Sequence, residues 1–350
     1  MNFSVALNMH RTDASQDMRE VISVYRDLLH IAEQGGMEVA WAAEHHCIEL
    51  TIAPNPFTLL TDWANHTNTI RLGVAVAVAP YWHPIRLAGE AAMTDLYSDG
   101  RLELGIARGA FPYEFDRMAE GMAPDEARSH LFESLPLLRK LWTGDVSHEG
   151  KHWRFPKATS VPKPLQQPGP PIWVAARDPA SFDYALKHDI NIMSTPLAKP
   201  FAEVENLAGK LATALEENPG ASRPRWMVAR TSGVADTEEL ADDLIDASIL
   251  FGRRFEGLFS TTGHVENGFP QIEAVEAGAI GGHTRDAVRE AMIVGTPDSV
   301  IEQLRAYADV GVDLYCYVAN YDDDLRRTRR SLELFVERVM PAFANAGAAA

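Results

Sequence analysis

Residues 70–107 read IRLGVAVAVAPYWHPIRLAGEAAMTDLYSDGRLELGIA, a strand, a helix and a second strand in succession. Ile70–Val78 is apolar at nearly every position, the pattern of a parallel strand covered on both faces. His83-Pro84 opens a helix with proline at its first position, and the helix runs to Ser98, where Asp99-Gly100 closes it. Leu102–Ala107 (LELGIA) is again strand-like.

Outward from that unit the same rhythm repeats about eight times. Toward the N-terminus lie a strand at Asn2–Leu7, a helix at Met18–Gln34 stopped by Gly35-Gly36, a strand at Glu38–Ala43 and a helix at Asn55–His66. Toward the C-terminus a helix at Pro124–Trp142 is followed by a break in the rhythm at Thr143–Pro171, where VSHEGKHWRF predicts a hairpin and the crowded prolines an extended surface loop. Strands at Ile172–Ala176, Asn191–Ser194 and Trp226–Thr231 then alternate with helices near Pro179–Lys187, Ala202–Glu217 and Thr237–Phe251. The glycine-rich stretch Phe251–Asp286 fits neither period and is expected to be an insertion acting as a lid. A helix from Pro297, a strand at Asp313–Val318 and a helix near Asp322–Met340 complete the pattern. These units argue for an α/β protein built as a (β/α)8 TIM barrel, one domain over residues 1–345 with a frayed tail at 346–350. A doubly wound sheet is disfavoured, because the first strand runs into NMHRTD without the glycine-rich turn that fold uses. No G-x-G-x-x-G, P-loop, G-x-S-x-G or H-E-x-x-H occurs.

Composition narrows the function classes. The 350 residues carry 32 Lys plus Arg against 49 Asp plus Glu, a net charge of −17. That charge repels phosphate backbones and anionic lipid, so neither a nucleic-acid nor a membrane partner is expected. The longest uncharged run, Leu72–Ile85, is broken by Pro80 and Pro84 and is too short for a bilayer. The first residues lack the basic and apolar segments of a secretory signal, and the two cysteines make neither a disulfide framework nor a zinc site. A cytoplasmic protein is expected.

Barrel chemistry sits where strands end. Those places here are Asn8-Met9-His10, Glu44-His45-His46, Pro80–His83, Arg108–Phe111 and Arg177-Asp178. Two arginines at strand ends suit a phosphate, because the guanidinium fork matches its oxygens. The turn Asp178–Ser181 opens a helix whose free N–H groups favour an anion. Glu44, His45 and His46, completed by His10 or His83, have a rival use as a metal site, but barrel metal sites use alternate spacing such as H-x-H, which is absent. No metal is expected.

Four strings in this sequence, AEHH at 43–46, TIRLGVAVAV at 69–78, HPIRLAGEAAMTDLYSDGRLELGIARG at 83–109 and GTPDSVIEQL at 295–304, resemble the bacterial luciferase-like flavin-dependent monooxygenases. The resemblance covers most of the chain and is densest over residues 38–115. It implies a barrel, reduced FMN delivered by a separate flavin reductase, dioxygen activated as a flavin C4a-hydroperoxide, and a homodimer built from early helices. Residue by residue, His45 matches the family's active-site histidine, and Ala75-Val76 the third-strand stretch, often a non-proline cis peptide, that lies against the flavin. Arg108 matches the phosphate-binding arginine, and Asp178 with Ser181 the turn that closes on the phosphate. Ala107 stands where the luciferase α chain has a reactive cysteine, which puts light emission in doubt. Arg177 replaces an acidic residue at the phosphate turn, and Ser181 replaces a threonine.

Adjacent histidines on an extended chain point in opposite directions, so His45 is taken as functional and His46 as structural. Glu44 either orients the His45 imidazole or bridges to a rim arginine. Asp178 has an equally good reading as the N-cap of the helix begun by Pro179, and Met9, Trp82, Phe111 and Tyr113 are expected to line an apolar substrate pocket. On the same fold an F420-dependent hydride-transfer enzyme is the alternative function, and a non-catalytic flavin-binding protein is a further one.

Overall fold

In the computed structural model, residues 1–259, 265–271, 284–319 and 321–344 are described. Eight parallel strands form the barrel: β1 (Asn2–Ala6), β2 (Val39–Ala42), β3 (Arg71–Val78), β4 (Leu102–Ala107), β5 (Ile172–Ala175), β6 (Asn191–Ser194), β7 (Trp226–Val234) and β8 (Leu314–Val318). Their order is β7-β8-β1-β2-β3-β4-β5-β6, and pairing of β6 with β7 closes the ring. Register is set by pairs such as Val5 with Ala40, Leu72 with Leu102 and Met227 with Leu314. The expected (β/α)8 barrel is therefore what the chain forms.

The helices are α1 (Met18–Gln34), α2 (Pro56–Ala64), α3 (Pro84–Tyr97), α4 (Pro112–Met118), α5 (Pro124–Thr143), α6 (Pro179–Lys187), α7 (Ala202–Glu217), α8 (Glu238–Phe255), α9 (Arg285–Ala291), α10 (Pro297–Asp309) and α11 (Leu325–Leu334). Proline stands at the first turn of six of them, α2 to α6 and α10, where its missing N–H costs nothing. The outward residues of the strands, among them Val5, Leu72, Val74, Leu104, Ile172, Val174 and Val228, share one hydrophobic layer with the inner faces of the helices. Two-sided burial explains why the strands read as continuous apolar runs.

The barrel interior is a separate cluster of Ala6, Val39, Trp41, Trp173, Met193, Met227, Leu314 and Cys316. Trp41 and Trp173 meet edge to face at 5.6 Å. Gly73 leaves the space: a Cβ there would lie 2.1 Å from the Trp41 ring. The N-terminal floor is charged. Glu103 accepts from the Trp173 indole at 2.6 Å and pairs with Arg71, and Glu38 accepts both forks of Arg225 at 2.6 and 2.9 Å. At the other end Ala75, Val76, Ala229 and Val318 are only half-buried, so small side chains roof the barrel.

The hairpin is present, Val146–Glu149 paired with Arg154–Ala158. Some elements differ from expectation. Pro112–Met118, to which the sequence reading assigned no element, is the short helix α4. The helix expected to end at Phe251 continues to Phe255 and then through a 3-10 turn at Glu256–Phe259, because Phe251, Phe255 and Phe259 recur every four residues on one face. Of the rest of the expected lid, Val265–Glu266 and Phe269–Pro270 pair as a short ladder, while 260–264 and 272–283, like the tail at 346–350, lie outside the described residues. Strand Ile293–Gly295, not foreseen, pairs with the far end of β7.

Candidate active site

The chain leaving β2 carries Glu44, His45 and His46 onto the barrel mouth. Glu44 is 3% exposed and fully engaged. One carboxylate oxygen accepts from the Val78 N–H at 2.7 Å and the Trp82 indole N–H at 2.8 Å, the other from Nε2 of His46 at 2.8 Å. Neither expectation for Glu44 holds. Its partner is the neighbouring histidine, because Glu44 turns inward beneath the loop after β3.

The partner of His45 comes from α4. Oε1 of Glu114 lies 3.0 Å from Nδ1 of His45 and also accepts the His46 backbone N–H at 2.7 Å. A carboxylate only accepts, so Nδ1 carries the hydrogen and Nε2 keeps the lone pair. The two imidazoles take different carboxylates, as oppositely directed neighbours should, and this arrangement leaves no shared metal position among Glu44, His45 and His46. Glu114 is 2% exposed. No short motif marks it; the only signal is an acidic residue in the aromatic string FPYEF after β4.

Around His45 stands a wall of rings. Phe111 and Phe255 lie 5.3 and 6.2 Å from its centroid, and Phe111 meets Phe255 and Phe259 at 5.4 and 5.2 Å. A cavity of about 560 Å³ adjoins it, lined by His45, Cys47, Thr51, Tyr113, Arg117 and Gly268 among others. Tyr113 donates to the Cys47 carbonyl at 3.2 Å. Burial, reinforced by the negative charge of Glu114 and Glu44, pushes the Tyr81 phenol up, so it stays protonated. Of the four expected pocket residues, the structure brings Phe111 and Tyr113 to His45. Met9 and Trp82 are packed into the layer behind and do not line this cavity.

β4 ends at Arg108-Gly109. Gly109 has φ +84°, and a Cβ there would stand 2.9 Å from both Phe115 and Val78, so only glycine makes this turn. Burial depresses the Arg108 pKa, and the positive charges of Arg128 and Arg177 depress it further against Asp178 and Asp125. Arg128, on α5, was not foreseen from the sequence. Its Nη1 reaches Asp178 at 3.1 Å, while its buried Nε has no partner among the described residues. Asp178 caps α6, accepting from the Ser181 N–H at 3.1 Å and its hydroxyl at 3.2 Å. Both side chains are thus committed to the cap. No carboxylate or carbonyl among the described residues accepts a hydrogen bond from the guanidiniums of Arg108 or Arg177. Arg108, Arg128 and Arg177 stand close enough to feel one another's charge, and one of them has an orphaned buried N–H, so the cluster could hold a dianion.

Ala75-Val76 is a cis peptide bond and sits at the register shift between β3 and β4. It forms part of the roof of small side chains. The arginine cluster could hold the phosphate of a flavin mononucleotide, and the roof of small side chains its ring.

The chain matches the family model described as luciferase-like monooxygenase over residues 1–314. It is 41% identical over 346 residues to the oxygenase component of the flavin-dependent trigonelline monooxygenase of Acinetobacter baylyi, covering 99% of this chain and 96% of that one. Among solved structures it is similar to the monooxygenase RslO1 of Streptomyces bottropensis, with a TM-score of 0.83, 25% identity, and coverage of 98% of this chain and 100% of that one. The oxygenating constituent of 3,6-diketocamphane monooxygenase from Pseudomonas putida, a type II Baeyer–Villiger enzyme solved with FMN, shares the fold with a TM-score of 0.75 at 21% identity, covering 97% and 98% of the two chains.

Proposed function

The chain belongs to the luciferase-like monooxygenases, and from that premise we propose that it is the oxygenase of a two-component flavin system. Reduced FMN comes from a separate reductase, as the relative's designation "oxygenase component" supports, and the reaction runs in the cytoplasm. The observation that carries the reading is the cluster of Arg108, Arg128 and Arg177, which suits the FMN phosphate, with Ala75-Val76 under its ring. Bound reduced flavin supplies two electrons to dioxygen, so that one oxygen atom enters the substrate and the other leaves as water.

The chain's own residues orient, shield and move protons. Glu114 holds His45 with the lone pair on Nε2, and that nitrogen takes up or gives a proton at the edge of the cavity. Glu44, placed in the sequence among the catalytic residues, is a positioning residue that fixes His46, Val78 and Trp82. Asp178 and Ser181 set the first turn of α6 and so the backbone N–H groups beside the phosphate. Phe111, Phe255 and Phe259 exclude water and offer flat faces to a planar substrate. The relative acts on trigonelline, a pyridinium carboxylate, and a cationic ring gains from such faces. Planar N-alkylated heteroaromatic acids are therefore the first substrate class to test.

The test has two stages. Apoprotein is titrated anaerobically with photoreduced FMN and, separately, with reduced F420. It is then supplied with a flavin reductase, NADH, trigonelline and oxygen-18 dioxygen. Tight binding of reduced FMN and a product carrying one labelled atom are expected. Selective binding of F420 overturns the reading in favour of hydride transfer. FMN binding without an oxygenated product from any pyridinium acid leaves a flavin-binding protein.

We further propose a homodimer through the α3 face. Met93, Leu96 and Tyr97 on α3 are 40%, 43% and 58% exposed, and Val161 and Leu165 beside them 81% and 49%. The loop carrying the last two crosses α3 closely, with the Val161 carbonyl 3.9 Å from a Cβ built on Gly89. Exposed apolar side chains on α3 and on the loop that crosses it suit association with a second copy.

A further inference from the structure

The outer layer carries a second polar cluster, built by α5 and the hairpin. Glu126 and His130 stand four residues apart on α5 and so share one helix face. His152 comes from the hairpin turn. One ligand-capable atom of each residue lies within 4.8 Å of the other two. This is the only such group of three or more among the described residues.

The hairpin is held in place for it. Glu133 accepts from Nε2 of His148 at 2.9 Å and from the backbone N–H groups of Lys151, His152 and Trp153 at 3.1, 3.0 and 2.9 Å. The Trp153 indole donates to Ser134 at 3.0 Å. These bonds set the His152 ring 3.7 Å from the His130 ring, stacked at 26°. His130 is only 9% exposed, yet its Nδ1 has no hydrogen-bond partner among the described residues. Buried polar atoms in folded proteins are nearly always satisfied, so an orphaned imidazole nitrogen inside a ligand cluster asks for a missing partner.

We propose that Glu126, His130 and His152 bind one borderline divalent cation, of the zinc, nickel or copper class. Two neutral imidazoles and one carboxylate are the donors such ions take, whereas magnesium and calcium prefer all-oxygen sets. The stacked rings must turn until their lone pairs converge. His152, half-buried at the hairpin turn, is the ring placed to move, exchanging its 2.8 Å contact with the Ser129 hydroxyl for the cation. The bound ion pins the hairpin to α5, the helix that also presents Arg128. Its binding requires no flavin and is independent of the proposed oxygenase reaction.

Untagged, EDTA-treated protein is titrated with Zn²⁺ and Ni²⁺ by calorimetry and followed by thermal melting. One cation per chain is expected, with a raised melting temperature, since a ligand bound only by the folded state stabilises it. His152→Ala and Glu126→Gln should weaken binding at least roughly tenfold and abolish the melting shift, while His30→Ala, on the exposed face of α1, leaves both unchanged. Glu126→Gln is a near-isosteric change at an exposed position, so the test does not depend on His152→Ala remaining folded. Wild-type protein that takes up no stoichiometric metal, or a Glu126→Gln variant that binds as tightly as wild type, overturns the assignment.

Discussion

Replacing Arg108 by glutamine probes the proposed phosphate cradle with little disturbance elsewhere, because its guanidinium donates no hydrogen bond to any described residue. Burial and the charges of Arg128 and Arg177 already disfavour its charged form, so removing the charge relieves repulsion in the apoprotein. The variant should melt no lower than wild type without flavin. With flavin the sign reverses. A hydrogen bond to a charged group is worth about 1.5–3 kcal/mol, and 1.36 kcal/mol is a factor of ten, so FMN affinity should fall roughly 10- to 150-fold. Riboflavin, which lacks the phosphate, should bind wild type and variant equally. The assay is quenching of flavin fluorescence with FMN and riboflavin in parallel, at two salt concentrations. The ratio of the two affinities is the decisive number. If the variant loses FMN and riboflavin to the same extent, Arg108 does not contact the phosphate and the argument from the three guanidiniums fails.

Three further outcomes follow from the same geometry. In Glu114→Gln the amide oxygen must take the Oε1 position to keep the His46 N–H bonded, so both contacts survive and only the charge is lost; turnover should fall by about fivefold, for about 1 kcal/mol, with affinity for reduced FMN unchanged, and equal loss of both would point to misfolding instead. Leu96→Glu should convert the homodimer to monomer in light scattering, and a wild-type monomer at micromolar concentration would refute the α3 interface. For Glu38, burial pushes the pKa up but hydrogen bonds from Arg225 and Asn2 outweigh it and hold it below the ordinary value near 4.5. Its contribution to stability is then complete above about pH 4.5 and is lost as pH falls through the depressed value, so Glu38→Gln should flatten the acid limb of the stability curve, read by urea denaturation at several pH values.

The strand–helix rhythm was legible because periodicity is a local property. Apolar continuity in Ile70–Val78, proline at helix starts and glycine at helix stops each act over a few residues, and each lies where the structure places it. The helix that was not foreseen and the one read too short carried local signals too: Pro112 opening α4, and the fourfold spacing of Phe251, Phe255 and Phe259. The Ala75-Val76 cis bond was legible through a long ordered string rather than through any single residue, and the roles proposed for His45 and Arg108 rest on that same resemblance.

What the sequence by itself determined is the barrel and which strand ends carry polar side chains, because burial on both faces of eight strands admits few other architectures. Only the tertiary structure decided the partners. Glu114 meets His45 from 69 residues away, Arg128 meets Asp178 across 50, and Glu44 turns to Val78 and Trp82 instead of to His45. A buried carboxylate takes whichever donors packing brings within hydrogen-bond reach, and that choice is made by the closure of the whole barrel, not by neighbours in the chain.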